Sequence, residues 1–196
     1  MNNRIRTVDA HAHPPRREEA DPYSYPACIA EEMQLFHEDV DAMISQMDAI
    51  EIDAKLLMAF PPDAESAYHF GEYNPVTGHT SMTSQEWIIQ AIKKYPDRFY
   101  GCACVNPLEP DACEIVAHLV QKHGFKALKI HQGHYDFLAD DERIMPLYRT
   151  CVELGIPVAF HTGYSPVRHI DRYLPTMPHA LDELAYKLPD LDIMMC

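Results

Sequence analysis

The sequence of 196 residues lacks the patterns that mark several large classes of protein. No stretch of about 18 residues is apolar throughout, and residues 1–10 lack the apolar run of a secretory signal, so neither a membrane span nor a signal peptide is predicted. Basic residues are scarce: 16 Lys and Arg stand against 30 Asp and Glu, which gives a formal net charge of -14. This balance argues against nucleic acids and anionic membranes as partners, because no basic patch could neutralise phosphates.

A dinucleotide-binding fingerprint and a disulfide framework are also missing. No glycine-rich phosphate loop follows any predicted strand, which argues against a dinucleotide fold. The six cysteines are scattered through strand-like and helix-like segments, so we predict free thiols and a cytoplasmic location. Cys102 and Cys104 form a C-x-C pair inside an apolar run, which is not a zinc-ribbon spacing, and we expect them to pack in the interior. The 47% hydrophobic content predicts one globular domain over residues 1–196.

Six short apolar runs alternate with amphipathic segments along the chain. The runs are apolar almost throughout, which predicts strands covered on both faces, as in the parallel sheet of an α/β fold. The predicted strands are residues 4–13, 53–60, 98–106, 125–132, 156–163 and 191–196. The predicted helices are residues 37–50, 83–96, 110–125, 141–157 and 177–191. Thr83 and Glu86 predict a capping box, and Gly124 and Gly155 predict helix C-termini.

The first predicted strand contains two histidines one residue apart. Side chains alternate along a strand, so His11 and His13 share a face with Asp9. His161 lies at the end of the fifth predicted strand, and the carboxyl ends of parallel strands meet at one edge of a sheet. Three imidazoles with an open fourth position are typical of a catalytic divalent metal site. The residues therefore predict metal binding, with a metal-free structural cluster as the alternative.

The fourth predicted strand carries Lys129 and His131 on one face. A buried lysine needs a partner, because an unpaired buried charge is costly. Lys129 is therefore predicted to pair with Asp9 in an interior salt bridge, to bind a substrate carboxylate, or to bridge metals after carboxylation. His131 is either a donor that faces the substrate or a structural residue. Lys129 and His131 are therefore candidate metal-binding or substrate-binding residues.

Polar residues in the loops provide further candidate substrate contacts. Arg168 follows His161 closely, and its guanidinium suits bidentate binding of a carboxylate. The others, for which packing within the loops is the favoured interpretation, are His69, Tyr73, His79, His134 and Tyr135.

Three segments, "VDAHAH", "GFKALKIH" and "GIPVAFHTG", occur in this order on successive predicted strands. Together they resemble the amidohydrolase superfamily, and specifically its amidohydrolase-2 group, over essentially the whole chain. The resemblance implies a TIM-barrel-like (β/α)8 fold with a divalent metal, most often zinc but also manganese or iron, on His11, His13 and His161. It implies a hydrolase that uses metal-activated water on a small carboxylated or cyclic substrate.

Two alternatives to a hydrolase remain open at this stage. One is a non-oxidative decarboxylase or a hydratase on the same scaffold. The other is a catalytically inactive metal-binding fragment or interaction module.

The sequence departs from the family pattern in its extent. Cys196 lies in the sixth predicted strand, so only about the first five and a half β/α units are expected. The family's acid-base histidine after strand six and aspartate at strand eight have no counterpart, which leaves the catalytic residues unknown. An open sheet exposes strand edges, so we expect a further C-terminal segment or a homo-oligomer to complete the barrel.

Overall fold

A computed structural model describes residues 6–15, 26–164 and 173–196. It divides into two compact units, Met1–Gly101 and Cys102–Cys196. The described strands are β1 (Val8–Ala12), β2 (Ala54–Met58), β3 (Phe99–Cys104), β4 (Ala127–Ile130), β5 (Val158–Phe160) and β6 (Ile193–Met195). The described α-helices are α1 (Ile29–Ala49), α2 (Ser84–Lys94), α3 (Ala112–His123), α4 (Met145–Leu154) and α5 (Ala180–Lys187). Short 3-10 helices span Pro62–Tyr68 and Leu174–Thr176.

The first unit begins with parallel strands. Val8 pairs with Ala54, and the register shifts between Asp9 and Ala12, the segment that contains His11. Helix α2 opens with the predicted capping box, in which Thr83 and Glu86 each bond to the other's backbone N–H. This capping box fixes the residue at which α2 begins.

The second unit repeats the same arrangement. The end of β3 pairs in parallel with β4, β4 with β5, and β5 with β6. Gly124 and Gly155 end α3 and α4 with φ of 74° and 64°. This left-handed conformation strains residues that carry a Cβ, which explains glycine at both ends.

The predicted order of strands and helices is confirmed, with shorter strands than expected. Helix α1 begins at Ile29, earlier than predicted, because Glu32 and Phe36 continue the buried stripe of Val40 and Met47. Glu32 is polar, so the apolar spacing did not reveal this part of the helix. Helix α3 begins at Ala112, two residues later than predicted, so Pro110 precedes the helix.

The cysteines behave as predicted within the structure. None of the six forms a disulfide, and Cys102 and Cys104 are fully buried. Among the described residues, no helix is long and apolar enough to cross a membrane. The single domain over residues 1–196 remains a prediction.

Candidate metal centre

His11 and His13 lie together at the carboxyl end of β1. Their Nε2 atoms are 3.3 Å apart. The Nδ1 atom of His13 is 2.9 Å from the carbonyl oxygen of Met58, at the end of β2. A carbonyl only accepts hydrogen bonds, so Nδ1 carries the proton and the neutral ring keeps its lone pair on Nε2. The lone pair of His13 therefore points toward His11.

The spacing of these two nitrogen atoms fits a metal ion. Two ligands about 2.0–2.1 Å from a tetrahedral zinc are about 3.3–3.4 Å apart. Metal-binding histidines commonly donate their other N–H to a carbonyl, as His13 does to Met58. Without a metal, the same spacing allows an N–H···N hydrogen bond in which His11 donates.

The imidazole ring of His13 also stacks against an aromatic side chain. The ring of Phe60 stacks on the imidazole, with centroids 4.9 Å apart and planes 8° apart. Tyr68, at the end of the first 3-10 helix, stacks on Phe60 at 4.0 Å and 10°. Sequence reasoning missed Phe60, because an apolar residue at a strand end gives no signal of which side chain it faces.

Asp9 has a partner within the first unit. Its Oδ2 lies 3.3 Å from the Nζ of Lys55, and its Oδ1 accepts a 3.2 Å bond from the backbone N–H of His11. The carboxylate thus neutralises a cation on β2 and supports the backbone at the first histidine.

The second unit brings four predicted residues together. The rings of His131 and His161 stack with centroids 4.1 Å apart and planes 10° apart. His134 meets His131 edge-on at 6.0 Å, and Tyr135 meets His134 at 4.7 Å. His131 and His161 each follow directly after a strand, β4 and β5, as the pattern predicted.

A buried amide that the sequence did not reveal supports His161. Gln132 is fully buried, and its Nε2 donates a 2.9 Å hydrogen bond to the carbonyl oxygen of His161. The backbone N–H of His161 donates to the carbonyl of Ile130 at 2.9 Å. These two bonds fix the backbone from which the imidazole projects.

Lys129 on β4 is 5% exposed. Its Nζ has no hydrogen-bond partner among the described residues, and no described carboxylate forms an ion pair with it. Burial lowers the pKa of this amine, and Cys196, Cys102 and Cys104 partly offset the effect. The interior salt bridge is thus not formed within the described part of the chain.

The loop candidates have structural partners. His79 lies 2.8 Å from the buried carboxylate of Glu32, and His69 lies 3.6 Å from Glu72. Tyr73 is exposed and forms an antiparallel bridge with Thr80. These contacts agree with the packing interpretation. Arg168 lies outside the described residues.

Within residues 6–15, 26–164 and 173–196, no group of three or more His, Cys, Asp or Glu side chains is arranged to hold a metal. The structure gives the pair His11 and His13 in one unit and His161 in the other. The three-histidine ligand set therefore stays a prediction.

The chain is similar in fold to several solved structures. The chain resembles 4-oxalomesaconate hydratase LigJ from Rhodopseudomonas palustris, with a TM-score of 0.65, 19% identity, and coverage of 96% of this chain and 62% of that one. It resembles 5-carboxyvanillate decarboxylase LigW from Sphingomonas paucimobilis, with a TM-score of 0.63, 16% identity, and coverage of 98% and 67%.

A third solved structure is 5-carboxyvanillate decarboxylase from Novosphingobium aromaticivorans, complexed with manganese and 4-hydroxy-3-methoxy-5-nitrobenzoic acid. Its TM-score is 0.56 at 24% identity, with coverage of 79% of this chain and 48% of that one. The chain thus spans about half to two thirds of the length of these proteins. No curated protein sequence matches it significantly.

These likenesses and the order of elements define a TIM-barrel-like α/β fold, as predicted. The amidohydrolase family model, Amidohydro_2, matches residues 8–196. The chain belongs to the amidohydrolase family.

Proposed function

We propose that the protein is a metal-dependent enzyme of the amidohydrolase-2 type, in which His11 and His13 hold a divalent metal ion. The observation that carries this proposal is the 3.3 Å spacing of the two Nε2 atoms. The bond from His13 to the carbonyl of Met58 supports it, because it keeps the metal-binding lone pair on Nε2. His161 is proposed as the third ligand, because it comes directly after β5, at the carboxyl end of a parallel strand.

A bound divalent ion lowers the pKa of coordinated water toward neutrality and polarises a substrate carbonyl or carboxylate. The protein's own groups would bind and orient the substrate. Lys129 and His131 lie on and directly after β4, and a buried ammonium without a carboxylate partner suits a substrate carboxylate. His134 and Tyr135, whose rings contact one another, are also proposed to contact the substrate. Arg168 is proposed from the sequence alone.

The proposed reaction is hydrolysis of a small carboxylated or cyclic substrate. Non-oxidative decarboxylation or hydration is the second candidate. It is favoured by similar solved proteins, which are named as decarboxylases and a hydratase. The acid-base residues of either reaction remain unassigned.

Zinc is the proposed metal, because imidazole nitrogen at tetrahedral spacing suits it. Manganese is the alternative, supported by the manganese in the decarboxylase from Novosphingobium aromaticivorans. A small-molecule substrate, a cytoplasmic location and completion of the barrel by a homo-oligomer or a further segment complete the proposal.

A product assay tests the reaction class. The metal-loaded protein is incubated with aromatic carboxylic acids and with cyclic esters such as pyrones, and released carbon dioxide and newly formed acid are measured separately. We expect turnover of one class that disappears in His13→Ala and persists in His118→Ala, a matched change on the exposed side of α3. Metal binding with no turnover of any substrate would favour the inactive metal-binding module instead.

A further inference from the structure

Phe60 lies two residues after the end of β2 and packs beside His13. The phenylalanine is 3% exposed, and its ring stacks on the imidazole at 4.9 Å with planes only 8° apart. Tyr68 lies nearly parallel to Phe60 as well, at 4.0 Å. The imidazole of His13 therefore packs against Phe60, which Tyr68 supports in turn. Neither aromatic residue is a predicted metal ligand.

The backbone of Phe60 is fixed by buried polar groups. Its N–H donates a 2.9 Å hydrogen bond to the hydroxyl of Ser84, which is fully buried at the start of α2. That hydroxyl donates in turn to the carboxylate of Glu65 at 2.6 Å. The aromatic surface under His13 is thus held from β2, from the 3-10 helix and from α2 together.

The contacts of Met58 and Phe60 with His13 restrict different motions of the ring. The 2.9 Å bond to the Met58 carbonyl sets the direction of Nδ1. The stacking sets the plane of the ring, which a single hydrogen bond leaves free to tilt. Together they direct Nε2 toward the Nε2 of His11, 3.3 Å away.

We infer that Phe60 is a positioning residue for His13, which holds the imidazole plane in the orientation needed to bind a metal beside His11. The inference rests on the proposed role of His13 as a ligand. A ligand held in place before binding loses less conformational freedom when the metal arrives, so removing the support weakens binding without removing a ligand.

The test compares three variants of the full chain with the wild type. Phe60→Leu removes the aromatic face and keeps apolar bulk, and Phe60→Tyr keeps the face. Phe70→Leu is the control for loss of a buried ring, since Phe70 is 7% exposed and only tilts against Phe60 at 5.7 Å. Nitrogen-15 NMR of the metal-free protein reports the His13 tautomer, and zinc titration reports the affinity.

We expect a single Nδ1–H tautomer in the wild type, Phe60→Tyr and Phe70→Leu. In Phe60→Leu we expect the imidazole to tilt away from the Met58 carbonyl, so that the tautomers mix and zinc binding weakens by about 10- to 100-fold. An unchanged tautomer and affinity in a folded Phe60→Leu would overturn the inference. If Phe60→Leu does not fold, Tyr68→Leu replaces it, because Tyr68 is half-buried and supports Phe60 from outside.

The two proposals fail in different ways. If the wild type binds no zinc but its Nδ1–H tautomer is lost in Phe60→Leu, the positioning of His13 stands and the metal function falls. If the wild type binds zinc and Phe60→Leu binds it equally well, the metal function stands and the role of Phe60 falls.

Discussion

The hydroxyl of Ser84 donates a 2.6 Å hydrogen bond to the carboxylate of Glu65, and both side chains are buried. Ser84 also donates its backbone N–H to the same oxygen at 3.1 Å. Burial raises the pKa of Glu65, although these two bonds oppose the shift and the nearby Glu86 adds to it. This carboxyl group connects the start of α2 to the 3-10 helix below Phe60.

Glu65→Gln is predicted to stabilise the protein at neutral pH. Because the folded pKa is raised, the unfolded chain ionises first as pH rises, so the wild type loses stability between the ordinary and the raised pKa. Glutamine keeps an acceptor for Ser84 without the charge. Denaturant unfolding across this pH range should show a higher free energy of unfolding for Glu65→Gln than for the wild type at neutral pH. This difference should shrink as the pH is lowered. Glu153→Gln, at an exposed position of α4, is the control, and a neutral-pH loss of stability in Glu65→Gln would contradict the prediction.

Lys129→Met is predicted to raise the free energy of unfolding by about 1–3 kcal/mol at neutral pH, because a buried amine without a partner is replaced by an apolar side chain of similar length. Lys55→Met, which breaks the ion pair with Asp9, should lower it by about 0–1 kcal/mol. Urea unfolding measures both. A destabilised Lys129→Met would mean that the amine has a partner outside the described residues.

Gln132→Leu is predicted to lower the free energy of unfolding by about 1–3 kcal/mol, because the carbonyl of His161 loses the amide that donates to it. Gln34→Leu, on an exposed part of α1, should change it by less than about 0.5 kcal/mol. Equal effects of the two changes would show that the buried amide does not support the backbone at His161.

Cys28 is predicted to be the most reactive of the cysteines. It is exposed, whereas Cys102 and Cys151 are buried, and burial raises the pKa of the Cys151 thiol to about 12. Iodoacetamide at about pH 8, followed by mass spectrometry, should label Cys28 first and reach the two buried thiols only after denaturation. Rapid labelling of Cys151 in the folded protein would contradict the burial of this thiol.

The elements of this fold were predictable where local chemistry determines them. The capping box of Thr83 and Glu86 and the glycine at 124 act within a few neighbouring residues, so they could be identified from the chain alone. The H-x-H pair was identifiable for the same reason, since strand alternation places both side chains on one face.

The supports of the site depend on residues distant in the chain. Met58 and Phe60 contact His13 across more than 40 residues, and the buried carboxylate of Glu32 contacts His79 across 47. A carbonyl oxygen and an apolar ring carry no sequence signal of which partner they will meet. The contacts of Met58 and Phe60 with His13 form only when β1 and β2 are paired.

The metal content of the purified chain shows whether His11 and His13 bind a metal ion. Elemental mass spectrometry at known protein concentration is applied to the wild type, His11→Ala, His13→Ala and the control His118→Ala. We expect about one equivalent of zinc or manganese in the wild type and the control, and none in His11→Ala or His13→Ala. Equal metal in all four proteins, or no metal in a folded wild type, would contradict this prediction.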